Sequence, residues 1–326
     1  MAMSSPAHPA LRVRERRGSQ PPRARRWQAG LRSPARGLSL AELLVAVTLG
    51  LLVIGLVLQV YLSGVRGHRQ AAALARLTLD AQAALDMLVR DLQMAGHVQA
   101  TGVQVGGAAL PRALARPYAF PRALWGCEAG FADLRAPLAQ AQCDIRPGEP
   151  ALEINLQATP ETAPLTVTAG AARPEPTDCI GQAIPGTQVA GLAGVLFLVS
   201  HRYFLGPPTD PGGSRSLMCV GQGGIPQPLV EGVQALQLRY GIDPDSVRGI
   251  PGPRRAQRYV GAADVADWTQ VVSVRLCLLM RSADPVHGLG EAPPFIDCAG
   301  ARQAAPADRH LYRAFHATAT LRNPGL

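Results

Sequence analysis

Leu38-Ser39-Leu40-Ala41-Glu42-Leu43-Leu44-Val45-Ala46-Val47-Thr48-Leu49-Gly50-Leu51-Leu52-Val53-Ile54-Gly55-Leu56-Val57-Leu58-Gln59-Val60-Tyr61-Leu62 is the stretch that decides how this chain folds. From 43 to 65 no residue is charged, a run long enough to cross a bilayer core as a helix. Glu42 is the one charge between Leu38 and Val65. A carboxylate costs roughly 2.5 to 3.5 kcal/mol at the centre of such a span and less near its end. A role is therefore expected for it.

Outward from this run, proline marks the next boundary. No proline occurs between Pro34 and Pro111, and proline inside a helix costs roughly 3 kcal/mol, so the gap permits one long helix. Leu74, Leu77, Ala81, Leu85, Leu88 and Leu92 recur at steps of three and four, while Arg76, Asp80, Gln82, Asp86, Arg90 and Asp91 fall largely elsewhere. That is an amphipathic helix with one buried stripe. Gly96 is a natural stop. The reading is a continuous helix over 39–95, about 85 Å long at ~1.5 Å per residue, with its first half in lipid and its second half on a domain.

On the other side, residues 1–37 carry nine arginines against Glu15 alone, which is all but one unit of the chain's net charge of +9. With no apolar periodicity, this segment reads as a disordered basic leader. The positive-inside rule then puts the leader in the cytoplasm and the bulk of the chain on the far side. A cleavable secretory signal is not expected, because the apolar core is too long and no small-residue site follows it. All six cysteines, Cys127, Cys143, Cys179, Cys219, Cys277 and Cys298, lie beyond the span, and none forms a CxxC pair. Such a set predicts disulfides in an oxidising compartment. Six cysteines allow fifteen pairings; sequential ones would close loops from Cys127 to Cys143, Cys179 to Cys219 and Cys277 to Cys298. Cys277 shares a strand face with Ser273, Arg275 and Arg281, where a bond to Cys298 could cross the surface.

Past Gly96 the apolar runs become short and are punctuated by Gly and Pro. Residues 151–157 place Leu152, Ile154 and Leu156 on one face, and 165–168 repeat the alternation. The run 194–199 is too short for a bilayer and reads as a strand buried on both faces. Strands are also predicted over 236–241, 271–280 and 315–321, with exposed turns at 207–213 and 248–253. The fold class expected is α+β: a long N-terminal helix packed on a β-rich C-terminal domain. The expected organisation is a leader at 1–37, a transmembrane half-helix at 38–65, its amphipathic continuation at 66–96, and a globular β domain at 97–326.

Gly37 before Leu38, Glu42 four residues later and the unbroken apolar run resemble the processing signal of type IV prepilins and of the related pseudopilins of type II secretion. The resemblance implies a cut by prepilin peptidase between Gly37 and Leu38, methylation of the new amine on Leu38, and Glu42 as the acid that helps seat the subunit in a filament. An isolated carboxylate at the edge of an apolar core could pair there with the freed amine of a neighbouring subunit. Ser39-Leu40-Ala41-Glu42 is also a capping box, which would engage Glu42 within its own helix. Further along, Asp91-Leu92-Gln93-Met94-Ala95-Gly96, the stretch 231–243, Val271-Val272-Ser273-Val274-Arg275-Leu276 and Leu311-Tyr312-Arg313-Ala314-Phe315 look like PilW-type minor pilins. That resemblance implies a subunit that helps initiate or cap a type IV pilus. Its partners would be the peptidase, other minor pilins, the major pilin and inner-membrane lipid, with the C-terminal domain in the periplasm and later at the pilus, near its tip. A minor pseudopilin of a type II secretion system shares the N-terminal signal. A single-pass periplasmic enzyme or binding domain with an uncleaved anchor is the reading from another class.

For catalysis the sequence offers little. The seven histidines are scattered, without HExxH, GxSxG or a Cys-His signature, and no cofactor or metal is expected. Asp243-Pro244-Asp245 lacks the ligand spacing of a calcium loop and reads as a solvated turn. Arg254, Arg255 and Arg258 form a small basic patch in a near-neutral region, which reads as a solvated loop rather than a nucleic-acid surface.

Overall fold

The computed structural model describes residues 37, 39–98, 104–105, 108–109, 121–146, 148–167, 174–188, 195–209, 213–245, 254–286 and 292–323. The leader up to residue 36, Leu38 and the turn at 248–253 lie outside the described residues. The chain divides into two units, one ending at Leu58 and the other beginning at Gln59.

The first unit supplies the start of helix α1, Leu40–Met94. This helix is long and apolar enough to cross a membrane, and none of its most apolar window is buried within the chain. From Leu40 to Leu58 its leucines, valines and Ile54 are instead more than half exposed. Among the hydroxyl residues of the run, Thr48 Oγ1 donates to Val45 O at 2.9 Å and Ser63 Oγ to Val60 O at 2.8 Å. Donation to a carbonyl one turn back satisfies those hydroxyls within the helix, as a hydrocarbon environment demands.

In the second unit the continuation of α1 buries Leu77, Ala81, Ala84, Leu85, Leu88 and Leu92, the stripe read from the sequence with Ala84 in place of the half-buried Leu74. Met94 ends the helix, and Gly96 follows with φ +70°, the left-handed conformation that closes a helix most cheaply with glycine. The Gly96 N–H then donates to Asn155 O, and Gln157 N–H to His97 O, both at 2.8 Å.

Two antiparallel sheets follow. The first contains β1 (Leu124–Cys127), β2 (Ala151–Ala158), β3 (Val195–Leu205), β4 (Ser216–Val220) and β5 (Gln227–Glu231), in the spatial order β5-β4-β3-β2-β1, with Thr187–Gln188 pairing the start of β3. The second contains β6 (Val233–Ile242), β7 (Arg258–Val260), β8 (Val271–Arg281) and, after a small hairpin of β9 (Phe295–Ile296) and β10 (Arg302–Gln303), β11 (Tyr312–Thr320). Its order is β7-β6-β8-β11. Of residues 165–168, expected to alternate as a strand, Leu165–Thr166 pair with Glu175–Pro176, Val167 lies past the strand, and Thr168 lies outside the described residues.

The chain crosses from sheet to sheet through one residue, Gly232, between β5 and β6. Its φ is +77°, its N–H donates to Arg215 O at 2.8 Å, and its carbonyl accepts from Arg281 N–H at 2.7 Å. A Cβ there would sit 2.6 Å from Arg281 O, so only glycine fits. One hydrophobic core joins the α1 stripe to Leu152, Ile154 and Tyr203 of the first sheet and to Leu236, Leu276 and Leu278 of the second. Each fully buried leucine contributes about 1.5–3 kcal/mol.

Candidate assembly interface

The first turn of α1 has a reciprocal cap. Ser39 N–H donates to Glu42 Oε2 at 3.0 Å, and Glu42 N–H donates to Ser39 Oγ at 3.2 Å. Two of the helix's orphan donors are thereby satisfied, and the carboxylate complements the positive end of the helix dipole. Oε1 of Glu42 has no hydrogen bond among the described residues. Gly37 has open space around it, with nothing within 4 Å of where a Cβ would stand. Leu38, expected to carry the modified amine, lies outside the described residues. The cap can therefore hold Glu42 in a fixed rotamer while one oxygen stays available to a cation.

At the other end of α1, Asp91 departs from the polar face on which its position in the sequence puts it. Its Oδ2 accepts from Tyr203 OH at 2.5 Å and lies 2.5 Å from His201 Nδ1. Cys179 N–H donates to His201 Nε2 at 3.1 Å, so the ring proton sits on Nδ1 and donates to Asp91. Burial pushes the Asp91 pKa up, but the pairing and hydrogen bonds with His201 and the hydrogen bond from Tyr203 outweigh it, and the net shift is downward. Burial first, then the Asp91 charge, drives the Tyr203 pKa well above its usual value. Tyr203 thus stays a hydrogen-bond donor and Asp91 a charged acceptor. The pair ties α1 to β3 and, through Cys179, to the Cys179–Cys219 bridge.

β2 is buried on both faces, including Glu153, Asn155 and Gln157, which the alternation with Leu152, Ile154 and Leu156 does not foretell. The cover is the segment between β2 and β1, held down by polar side chains. Glu153 Oε2 accepts from Arg202 Nε at 3.0 Å and Oε1 from Arg122 Nη2 at 3.1 Å, while Arg202 donates on to Leu134 O, Ala136 O and Pro137 O at 2.7–3.0 Å. Every guanidinium donation ends on a carboxylate or a carbonyl, which is what a buried ion pair needs to persist. Cys127–Cys143 closes the same segment. Cys277–Cys298 fastens the β9–β10 hairpin over β8. The three bridges thus pair the cysteines sequentially, and Cys277, expected on a surface crossing, is only 3% exposed under its hairpin.

Other residues singled out in the sequence sit apart from these features. Asp243 is buried rather than solvated: its Oδ2 accepts from Arg255 N–H at 3.1 Å, pinning the basic loop. His316, one of the scattered histidines, is exposed with Nε2 3.8 Å from Cys277 Sγ. Among the described residues no group of three or more His, Cys, Asp or Glu is placed to hold a metal ion.

The stretch beginning at Arg202 in β3 and running through β11 matches the family model described as type IV pilus-assembly protein W, PilW, over residues 202–323. Residues 202–323 are PilW-like. The PilW-like part therefore includes Arg202 and Tyr203, both partners in the buried polar clusters, and the whole second sheet. A solved structure, the type IV-like pilin TTHA1219 from Thermus thermophilus, is similar at 13% identity and a TM-score of 0.31, over 76% of this chain and 95% of that one; a likeness this slight carries no weight here. No curated protein matches the chain.

Proposed function

We propose that this protein is a minor pilin which helps initiate or cap a type IV pilus, as a substrate of prepilin peptidase rather than as an enzyme. The observation that carries the reading is the conjunction of a PilW-like C-terminal stretch with a membrane-length helix whose capped first turn directly follows Gly37. Cleavage falls between Gly37 and Leu38, and Leu38 receives the methyl group. Residues 1–37 are the cytoplasmic leader, 38–65 the span in the inner membrane, 66–96 the amphipathic continuation of the helix, and 97–326 a periplasmic domain that reaches the pilus, near its tip. Removing the leader takes with it all but one unit of the net positive charge. Glu42 Oε1 accepts the freed amine of a neighbouring pilin, an ion pair strengthened by low dielectric. The PilW-like stretch favours a pilus over the pseudopilin assembly of type II secretion.

Intact-mass measurement of the protein purified from cell membranes tests this. The expected chain begins at N-methylated Leu38; one that retains residues before Leu38 in peptidase-competent cells overturns the reading, and with it the assembly role of Glu42.

A further inference from the structure

Of the four strands that end the two sheets, three are short or interrupted, although β7 covers only Tyr240–Ile242 and leaves the rest of β6 without a strand on that side among the described residues. β1 has four residues, β7 has three, and β5 contains Pro228 with a register shift beside it. These are the devices by which sheets avoid pairing with other chains. β11 has none of them: it runs for nine residues, Tyr312–Thr320, without proline or glycine, and pairs with β8 without a register shift.

The register fixes which backbone groups face outward. Leu321 N–H donates to Val272 O and Ser282 N–H to Leu311 O, both at 2.9 Å, so the odd-numbered residues exchange hydrogen bonds with β8. The N–H and C=O groups of Tyr312, Ala314, His316, Thr318 and Thr320 point away from the sheet, and among the described residues no strand pairs with them. A groove of about 380 Å³ runs along the first half of this edge, walled by Pro293, Pro294, Phe295 and Ile296. Phe315 and Ala317 are left half-buried at the margin of the core.

Charge indicates what would lie there. Between Arg309 and Asn323 there are three arginines and no Asp or Glu, and Arg309, Arg313 and Arg322 are all exposed. The nearby Asp308 is occupied by Arg281 and by Tyr312 OH. We infer that β11 is an open docking edge for an extended, acidic segment of a partner protein, which adds as a further strand through the five outward backbone positions. Main-chain hydrogen bonds supply affinity and the arginines select an acidic partner. The inference does not depend on processing at Gly37, because register and charge alone define the edge.

Residue-resolved hydrogen exchange on the full chain in detergent micelles tests it. The probe is a nine-residue peptide alternating valine and glutamate; the control carries lysine for glutamate. With the acidic peptide the amides of Ala314, His316 and Thr318 are expected to slow at least tenfold, while those of Phe315 and Ala317, already bonded to β8, change little. Binding weakens as salt is raised. Thr318→Pro removes one outward N–H at an edge position that tolerates proline, and is expected to abolish the slowing without changing exchange in β8. If that variant misfolds, Arg313→Glu keeps the backbone and is expected to weaken the acidic peptide at least tenfold and to favour the lysine peptide. Slow exchange at the outward amides before any peptide is added would show the edge already covered, by this chain or by a second copy, and would overturn the inference. Equal response to both peptides, or none, would overturn it as well.

Discussion

Asp91 of α1 and His201 of β3 meet at 2.5 Å although 110 residues separate them in the chain. The contact closes a loop of bonds that runs from the helix through the imidazole to the Cys179 backbone and its disulfide. Packing of the leucine stripe is non-directional, so this polar pair sets the rotation and height of α1 against the sheet in a way that burial alone cannot.

Asp91→Ala removes the acceptor of both His201 and Tyr203. A buried donor without its acceptor costs about 1–3 kcal/mol, so a loss of about 2–4 kcal/mol is expected. Urea unfolding of the purified protein, followed by tyrosine fluorescence, gives the value; a loss under about 0.5 kcal/mol would show the pair to be incidental.

The same pair predicts an acid limb. Because the folded protein holds the Asp91 pKa below its ordinary value, the unfolded chain takes up its proton first as pH falls. The stabilisation is complete above the unfolded carboxylate value of about 3.9 and is lost as pH drops through the lower folded value. Unfolding midpoints measured from pH 7 to pH 3 are expected to fall less steeply below about pH 4 in Asp91→Asn than in the natural chain. Parallel curves for the two proteins would refute this assignment.

Capping and assembly can be separated at Glu42. Glutamine at this position of a capping box preserves the reciprocal bonds but carries no charge. Glu42→Gln is therefore expected to leave helix content and cleavage unchanged while reducing incorporation into filaments as strongly as Glu42→Ala does. Normal filament incorporation of Glu42→Gln would show that the cap, not the charge, is what the position supplies.

The three disulfides are unequal. Cys179–Cys219 spans 40 residues and Cys127–Cys143 spans 16, which by loop-closure entropy gives about 4 and about 3 kcal/mol. Replacing both Cys179 and Cys219 by serine is expected to lower stability more than replacing Cys127 and Cys143. Thermal unfolding of the two double variants ranks them, and peptide mapping without reductant reads the pairing directly.

Much of the architecture was legible in local pattern. The proline-free interval and the leucine spacing delimit α1 to within a residue or two, and the apolar run at 271–280 yields β8 almost to its ends. The polar interior was not. Asp91 reads as a surface acid because its partner lies in β3, and periodicity carries no information about a contact that distant. Glu153 reads as the wet side of a strand for the same reason: Arg122, Arg202 and the covering segment are far apart in sequence and converge only in the fold. An arginine inside the apolar strand, at Arg202, was the available signal, since a buried guanidinium requires an acid. At the N-terminus the capping box read at Ser39 and Glu42 forms as expected, whereas a contact of Glu42 with a neighbouring subunit would involve a second molecule and belongs to the proposed function.

The sequential order of the bridges also bears on how the protein matures. A chain that emerges N-terminus first presents Cys143 to Cys127 before Cys179 exists, and completes each later pair in turn, with no bridge enclosing another. Random oxidation of six thiols in a finished chain would have to sort fifteen arrangements through slow thiol exchange. An oxidant that joined neighbours as they appear would reach this set directly, without sorting the other arrangements.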